Sequence, residues 1–179
     1  MNTETLGKTT IWPASLGATT IMGCLMLACI FPFAAFATLA ALTMKPRNGL
    51  ALVTSVWAVN QAVGFLLLSF PWDAQAVGHG IAIFGATLLA FGAAHLVLRQ
   101  NFASLTLRAG AALAAAFAVH QVALRAYAGY GGGAENFSAE IITAVGINDL
   151  LWFTGLISLR YIIAYMTGEK AISQIAPAQ

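Results

Sequence analysis

Five long apolar segments, separated by short polar connections, limit the folds that this chain can adopt. A helix needs about 20 apolar residues to cross a hydrocarbon core of about 30 Å. By this measure the segments cover residues 14–44, 49–70, 75–98, 104–127 and 138–166. With 60% hydrophobic and only 8% charged residues, the chain has more apolar surface than a soluble core of this size could hide. We therefore predict an all-α, polytopic transmembrane helical bundle, because an open sheet cannot satisfy its backbone in lipid.

The first segment is too long for one ordinary crossing. As a single helix, residues 14–44 would be about 46 Å long at 1.5 Å per residue, and Pro32 interrupts them. We expect one tilted helix that bends at Pro32, which gives five spans, because the piece after Pro32 is short for a crossing. If the chain instead turns at Pro32, there are six spans. The predicted organisation is a polar segment at 1–13, one transmembrane domain at 14–168 and a C-terminal tail at 169–179.

The charged residues of the connections indicate an orientation. Lys45, Arg47 and Arg99 lie in two connections, whereas the other two carry Asp73 and Glu135 and no Lys or Arg. The positive-inside rule places the basic connections in the cytoplasm. We therefore expect a multi-pass protein of the cell (inner) membrane with a cytoplasmic C-terminus and with membrane lipid around it.

Five side chains within the apolar segments form the predicted ligand-binding set. Polar and ionisable groups are costly in hydrocarbon, so they mark functional sites or specific packing contacts. Counted from the connections, these side chains lie in the outer half of the bundle, beneath the glycine-rich loop at 130–137. The set consists of Asn60, His79, His120, Asp149 and Trp152. Convergent polar groups in an apolar cavity are typical of a small-molecule site. The alternative is that Asp149 only makes an interhelical hydrogen bond that fixes packing.

The leading functional interpretation is a small-solute binding and transport component. In size, helix density and short loops, the chain resembles the substrate-capture subunits of energy-coupling-factor transporters. This architectural resemblance implies a vitamin or metal-like solute and partner subunits, since the chain has no GxxxxGK[ST] nucleotide-binding motif. Small residues repeat every fourth position along the third segment, at Gly78, Ala82, Ala86, Ala90 and Ala94. Such a face allows close helix contact, either within the chain or with other membrane subunits.

A second interpretation is an electron-transfer subunit. His79 and His120 lie on neighbouring antiparallel segments at similar predicted depth. Such a pair can hold haem b through both rings, or one of the two can hold a chlorophyll-type pigment. Gly78 and Gly80 would leave room for the flat macrocycle. A third interpretation is an accessory or assembly subunit of a membrane complex without a site of its own.

Composition and motifs disfavour other classes of protein. The net charge is +2 and there is no basic stripe with interleaved aromatic residues, so we expect no nucleic-acid partner. No GxSxG, HExxH or GxGxxG motif occurs, and we do not expect an enzyme. Cys24 and Cys29 lie in one apolar segment and would point about 140° apart on a helix, as buried hydrophobic side chains rather than as a disulfide.

Overall fold

The computed structural model describes Trp12, residues 15–19, Met22 and residues 31–168, and all regular secondary structure in these parts of the chain is helical. A short helix and four long ones follow one another. They are α1 (Phe33–Thr43), α2 (Pro46–Ala62), α3 (Ala74–Leu98), α4 (Leu105–Gly131) and α5 (Ala139–Thr167). A π-helical turn, Val63–Leu67, continues α2, and a 3-10 turn, Ala134–Phe137, precedes α5. The predicted all-α transmembrane bundle is confirmed: the four long helices have the length and apolar composition needed to cross a membrane.

Polar side chains define where three of the long helices begin. Asp73, Ser104 and Ser138 each accept a hydrogen bond from the backbone N–H three residues later, at 2.7, 3.2 and 3.3 Å. These bonds satisfy N–H groups that have no partner within the helix. At its other end, α4 continues to Gly131, beyond the predicted end of its segment at residue 127, and stops where Gly132 takes a φ of 81°.

The short helix α1 lies at the centre of the bundle. It packs against all four long helices, and every one of its residues from Phe33 to Leu42 is buried. Its sequence, FAAFATLAALT, has no polar face, so burial on all sides is the stable arrangement. With 11 residues, α1 is about 16 Å long and covers only half of a hydrocarbon core.

The first apolar segment is interrupted where the sequence predicts a bend. Pro32 immediately precedes α1 and is itself not helical. The indole Nε1 of Trp12 donates to Thr43 Oγ1 at 3.0 Å, so Trp12 lies beside the end of α1. A single tilted helix would hold these two residues about 46 Å apart. The contact is therefore incompatible with one continuous helix from Trp12 to Thr43, and it supports the alternative in which the chain reverses direction between these two residues.

The connections define two ends of the bundle. The basic end carries Lys45, Arg47 and Arg99, and the loop end carries Asp73 and the segment from Gly131 to Ser138. Arg160 lies toward the basic end, where its guanidinium is 5.5 Å from the ring centroid of Trp12. Residues 1–11 and 13 of the predicted N-terminal segment, Cys24, Cys29 and the tail at 169–179 lie outside the described residues.

The row of small residues on α3 serves packing within the chain. Ala86, Ala90 and Ala94 are buried, and α3 packs extensively against α4 and α1. On α4, Ala112 and Ala116 are buried in the same core. Close packing within the chain therefore accounts for these alanines, while the association with other membrane subunits stays a prediction.

This packing predicts a strong difference between two alanines of α4. Ala116 has no exposed surface and belongs to the core, whereas Ala118 is exposed on the outside of the bundle. Ala116→Leu should lower the free energy of unfolding by about 1–3 kcal/mol because the added atoms have no space. Ala118→Leu should have little effect. Thermal unfolding midpoints in detergent measure both, and equal midpoints for the two variants would contradict the described packing.

Candidate functional site

The break before α1 places the beginning of a helix inside the bundle, and Asp149 of α5 lies against it. Asp149 Oδ1 accepts the backbone N–H of Ala35 at 2.7 Å, and the same carboxyl group interacts with the N–H of Ala34. The side chain of Asp149 is only 3% exposed. Asp149 therefore caps α1 from another helix, whereas Asp73 caps α3 as the residue directly before that helix.

The contact between Asp149 and α1 has a clear physical reason. The first N–H groups of a helix lack intrahelical acceptors, and a buried N–H without a partner is costly in lipid. The N-terminus of a helix also carries a partial positive charge that a carboxylate stabilises. The interhelical hydrogen bond expected as the packing alternative for Asp149 is thus present, and its partner is backbone rather than a polar side chain.

Aromatic rings surround the beginning of α1. Phe33 stacks on the imidazole of His120, with ring centroids 5.9 Å apart. Phe31 stacks on Phe36 at 5.2 Å, and Phe36 lies 6.4 Å from the ring of Trp152. Of the five predicted ligand-binding residues, the structure therefore brings His120, Asp149 and Trp152 together, around the first turns of α1.

His120 is the polar side chain of this group whose hydrogen bonding is incomplete. It is only 7% exposed, and its Nε2 atom has no hydrogen-bond partner among the residues that the structure describes. Buried polar atoms are nearly always paired, so an unpaired one requires a reason. Two other buried nitrogen atoms of the described residues, His95 Nε2 and Arg108 Nε, also have no partner there, and His120 differs from them in lying beside the first turn of α1.

His79 belongs to a different neighbourhood, at the loop end. Its Nδ1 is 2.9 Å from Gln75 O and its Nε2 is 3.2 Å from Gly132 O. Its ring also packs edge-on against Tyr127, with centroids 5.1 Å apart. Of these contacts, the one between Nε2 and Gly132 O joins α3 to the glycine-rich loop, which gives His79 a structural role there.

Asn60 lies on α2, in a third neighbourhood. It accepts a hydrogen bond from Gln61 Nε2 at 3.1 Å. Gln61 fills the space beside Gly80, where a Cβ atom would collide with its side chain. Trp57 Nε1 donates to the carbonyl oxygen of Gly80 at 2.8 Å. Glycine at position 80 thus allows the polar side chains of α2 to approach the backbone of α3.

The described arrangement does not fit a haem held by both His79 and His120. His120 lies eleven residues before Gly131, the end of α4, whereas His79 lies five residues after Ala74, the start of α3. At 1.5 Å per residue His120 is about 9 Å deeper. Both nitrogens of His79 face backbone carbonyl oxygens.

The space expected for the macrocycle is also filled. The hydroxyl of Tyr127 occupies the position beside Gly78, as Gln61 does beside Gly80. Across the described parts of the chain, no group of three or more His, Cys, Asp or Glu side chains could hold a metal ion.

The cap on α1 leads to a prediction for Asp149. Asp149→Ala should lower the free energy of unfolding by about 1–3 kcal/mol, because it leaves buried N–H groups without an acceptor. Asp149→Asn keeps an acceptor oxygen and should retain most of the stability. The matched control is Asp73→Ala, which removes an exposed cap that water can replace. Thermal unfolding in detergent should show a larger loss for Asp149→Ala than for Asp73→Ala; the reverse order would refute the role of Asp149.

The contacts of His79 lead to a second prediction. His79→Ala should speed hydrogen exchange in residues 132–138, because the loop loses its attachment to α3 through Gly132. The control is Tyr130→Ala, since Tyr130 is 96% exposed and should leave the exchange of this loop unchanged. Exchange followed by mass spectrometry provides the measurement. Unaltered exchange in His79→Ala would show that other contacts hold the loop.

Comparison with known proteins does not assign the chain to a family. No protein-family model matches the chain, and no curated protein or solved structure is significantly similar to it.

Proposed function

We propose that the chain is a small-solute binding and transport component of a membrane, and that its site lies at the beginning of α1. The observation that carries this proposal is that α1 begins inside the bundle, directly after Pro32, with Asp149 against its first N–H groups. Discontinuous helices whose ends lie near the middle of the bilayer commonly form the binding sites of secondary transporters. Non-helical backbone at this depth otherwise has no advantage in a bundle of apolar helices.

The side chains at this site favour one class of solute. They offer a carboxyl group at Asp149, an unpaired imidazole nitrogen at His120 and the ring faces of Phe33, Phe36 and Trp152. Aromatic rings bind planar aromatic groups by stacking and bind cations through their faces. The combination suits a small aromatic or cationic solute, such as a vitamin, whose donor group would bind His120 Nε2.

Solute binding at this position requires a movement of α1. The first turn of α1 is closely packed and Asp149 is already hydrogen-bonded to it. A solute that competes for Asp149 would release the N-terminus of α1, while the C-terminus of α1 stays joined to α2 by the short connection at Met44 and Lys45. The interrupted helix is thus the element that would change between two states of the transporter. The basic connections would face the cytoplasm, with partner subunits supplying any ATP-driven step.

Ligand titration of the full chain in detergent tests the proposal. Thiamine, riboflavin, biotin and cobalt(II) chloride are the probes, each titrated separately, with intrinsic tryptophan fluorescence as the signal. We expect one organic probe to bind and its affinity to fall at least about tenfold in both Asp149→Asn and His120→Gln. Ile147→Ala is the matched control, because Ile147 lies on α5 near Asp149 but is 55% exposed on the outside of the bundle.

Two results would contradict the proposal. One is that no probe binds, and the other is that binding is equally strong in both site variants. The visible absorption spectrum of the same purified sample separates the alternative functions. A Soret band that disappears in His79→Ala and in His120→Ala would establish the haem-binding subunit instead.

A further inference from the structure

A groove between α4 and α5 opens at the loop end, away from the site at the beginning of α1. It has a volume of about 780 Å³, within the range of small-molecule sites. One face of α4 forms its longest wall, with Phe137 and Ile142 opposite. The α4 residues that line it are Gln121, Val122, Arg125, Ala126, Gly129 and Tyr130.

The groove lies between two helices, α4 and α5, that contact each other little. Gly146 of α5 contacts the ring of Phe117, and a Cβ atom at this position would lie 3.2 Å from that ring. Toward the loop end the two helices make few contacts, in contrast to the long contact between α3 and α4. Val122, which is 70% exposed, opens the groove sideways toward the hydrocarbon of the membrane.

The groove contains an uncompensated positive charge. Arg125 makes no ion pair or hydrogen bond with any residue that the structure describes, and none of the residues lining the groove is acidic. Arg125 lies six residues before Gly131, about 9 Å below the end of α4. At that depth a guanidinium can reach the phosphate level of a bilayer.

The order of the polar groups matches that of a phospholipid. Gln121 lies one helical turn deeper than Arg125, on the same face of α4. A phosphate bound to the Arg125 guanidinium would place the glycerol esters near the Gln121 amide and the acyl chains along Val122 and Ile142. Guanidinium groups bind phosphate with paired, charge-assisted hydrogen bonds.

From these observations we infer that the groove is a specific binding site for an anionic glycerophospholipid of the membrane leaflet at the loop end. Net negative charge in the lipid is required because Arg125 has no carboxylate partner in the groove. A zwitterionic lipid would bring a second cation beside Arg125 and should bind less tightly.

Native mass spectrometry of the full chain, released from detergent, tests this assignment. The probes are phosphatidylglycerol and phosphatidylcholine with identical acyl chains. We expect one phosphatidylglycerol molecule to bind at least about tenfold more tightly than phosphatidylcholine, and Arg125→Gln to remove this preference. Arg99→Gln is the charge-matched control, because Arg99 is exposed at the basic end. It should leave the preference unchanged.

A second pair of variants tests the shape of the groove without changing any charge. Gly129 lines the groove, and a Cβ atom there would meet no atom within 4 Å, so Gly129→Leu should fold and fill the space. Gly110, on the same helix, also has open space beside it but lies outside the groove. Gly129→Leu should weaken phosphatidylglycerol binding at least about tenfold, whereas Gly110→Leu should not.

The lipid affinities of these variants distinguish a specific site in the groove from a general attraction of anionic lipid to the positive charges of the protein. Equal binding of the two lipids, or an equal loss in Arg125→Gln and Arg99→Gln, would overturn the inference. Unchanged binding in Gly129→Leu would overturn it as well, since the lipid would then lie elsewhere on the surface.

Discussion

The first N–H groups of α1 have no acceptor within their own helix, and this is the constraint on which the rest of the bundle depends. A helix that starts inside a membrane has no water to satisfy them, so an acceptor must come from the protein. Asp149 supplies it from a position 114 residues later in the chain. This contact joins α5 to the first turn of α1, and the rings of Trp152 and Phe36 pack beside it. Because α1 is apolar on every side, the other long helices can then pack around it.

The same break in the chain creates both the stability problem and the candidate site. Asp149 and His120 border the first turn of α1, but their situations differ. Asp149 accepts a hydrogen bond from the backbone of α1, whereas His120 Nε2 has no partner in the part of the chain that the structure describes. The structural role of Asp149 and the proposed binding role of His120 are therefore compatible, because a solute bound to His120 would lie next to the carboxyl group that caps α1. The groove at Arg125 is separate from this site, on another face of α4.

Much of the fold could be predicted because it follows from local properties. The apolar segments predicted the four long helices within a few residues, when the π-helical turn that continues α2 is included. Errors arose where the depth of a residue depended on the exact end of a helix. Because α4 continues to Gly131, His120 lies deeper than its distance from residue 127 indicated, and it does not face His79.

By itself, the sequence determined the environment of the chain, the helical class and the break at Pro32, because lipid solubility and backbone geometry depend only on nearby residues. Only the tertiary structure decided that Asp149 accepts a hydrogen bond from the backbone of α1. The same holds for Gln61, which fills the space beside Gly80, and for Trp12, which donates a hydrogen bond to Thr43. These contacts join residues far apart in the chain. Their pairing depends on how each helix is rotated and how deep it lies, and an almost uniformly apolar sequence carries little information about either.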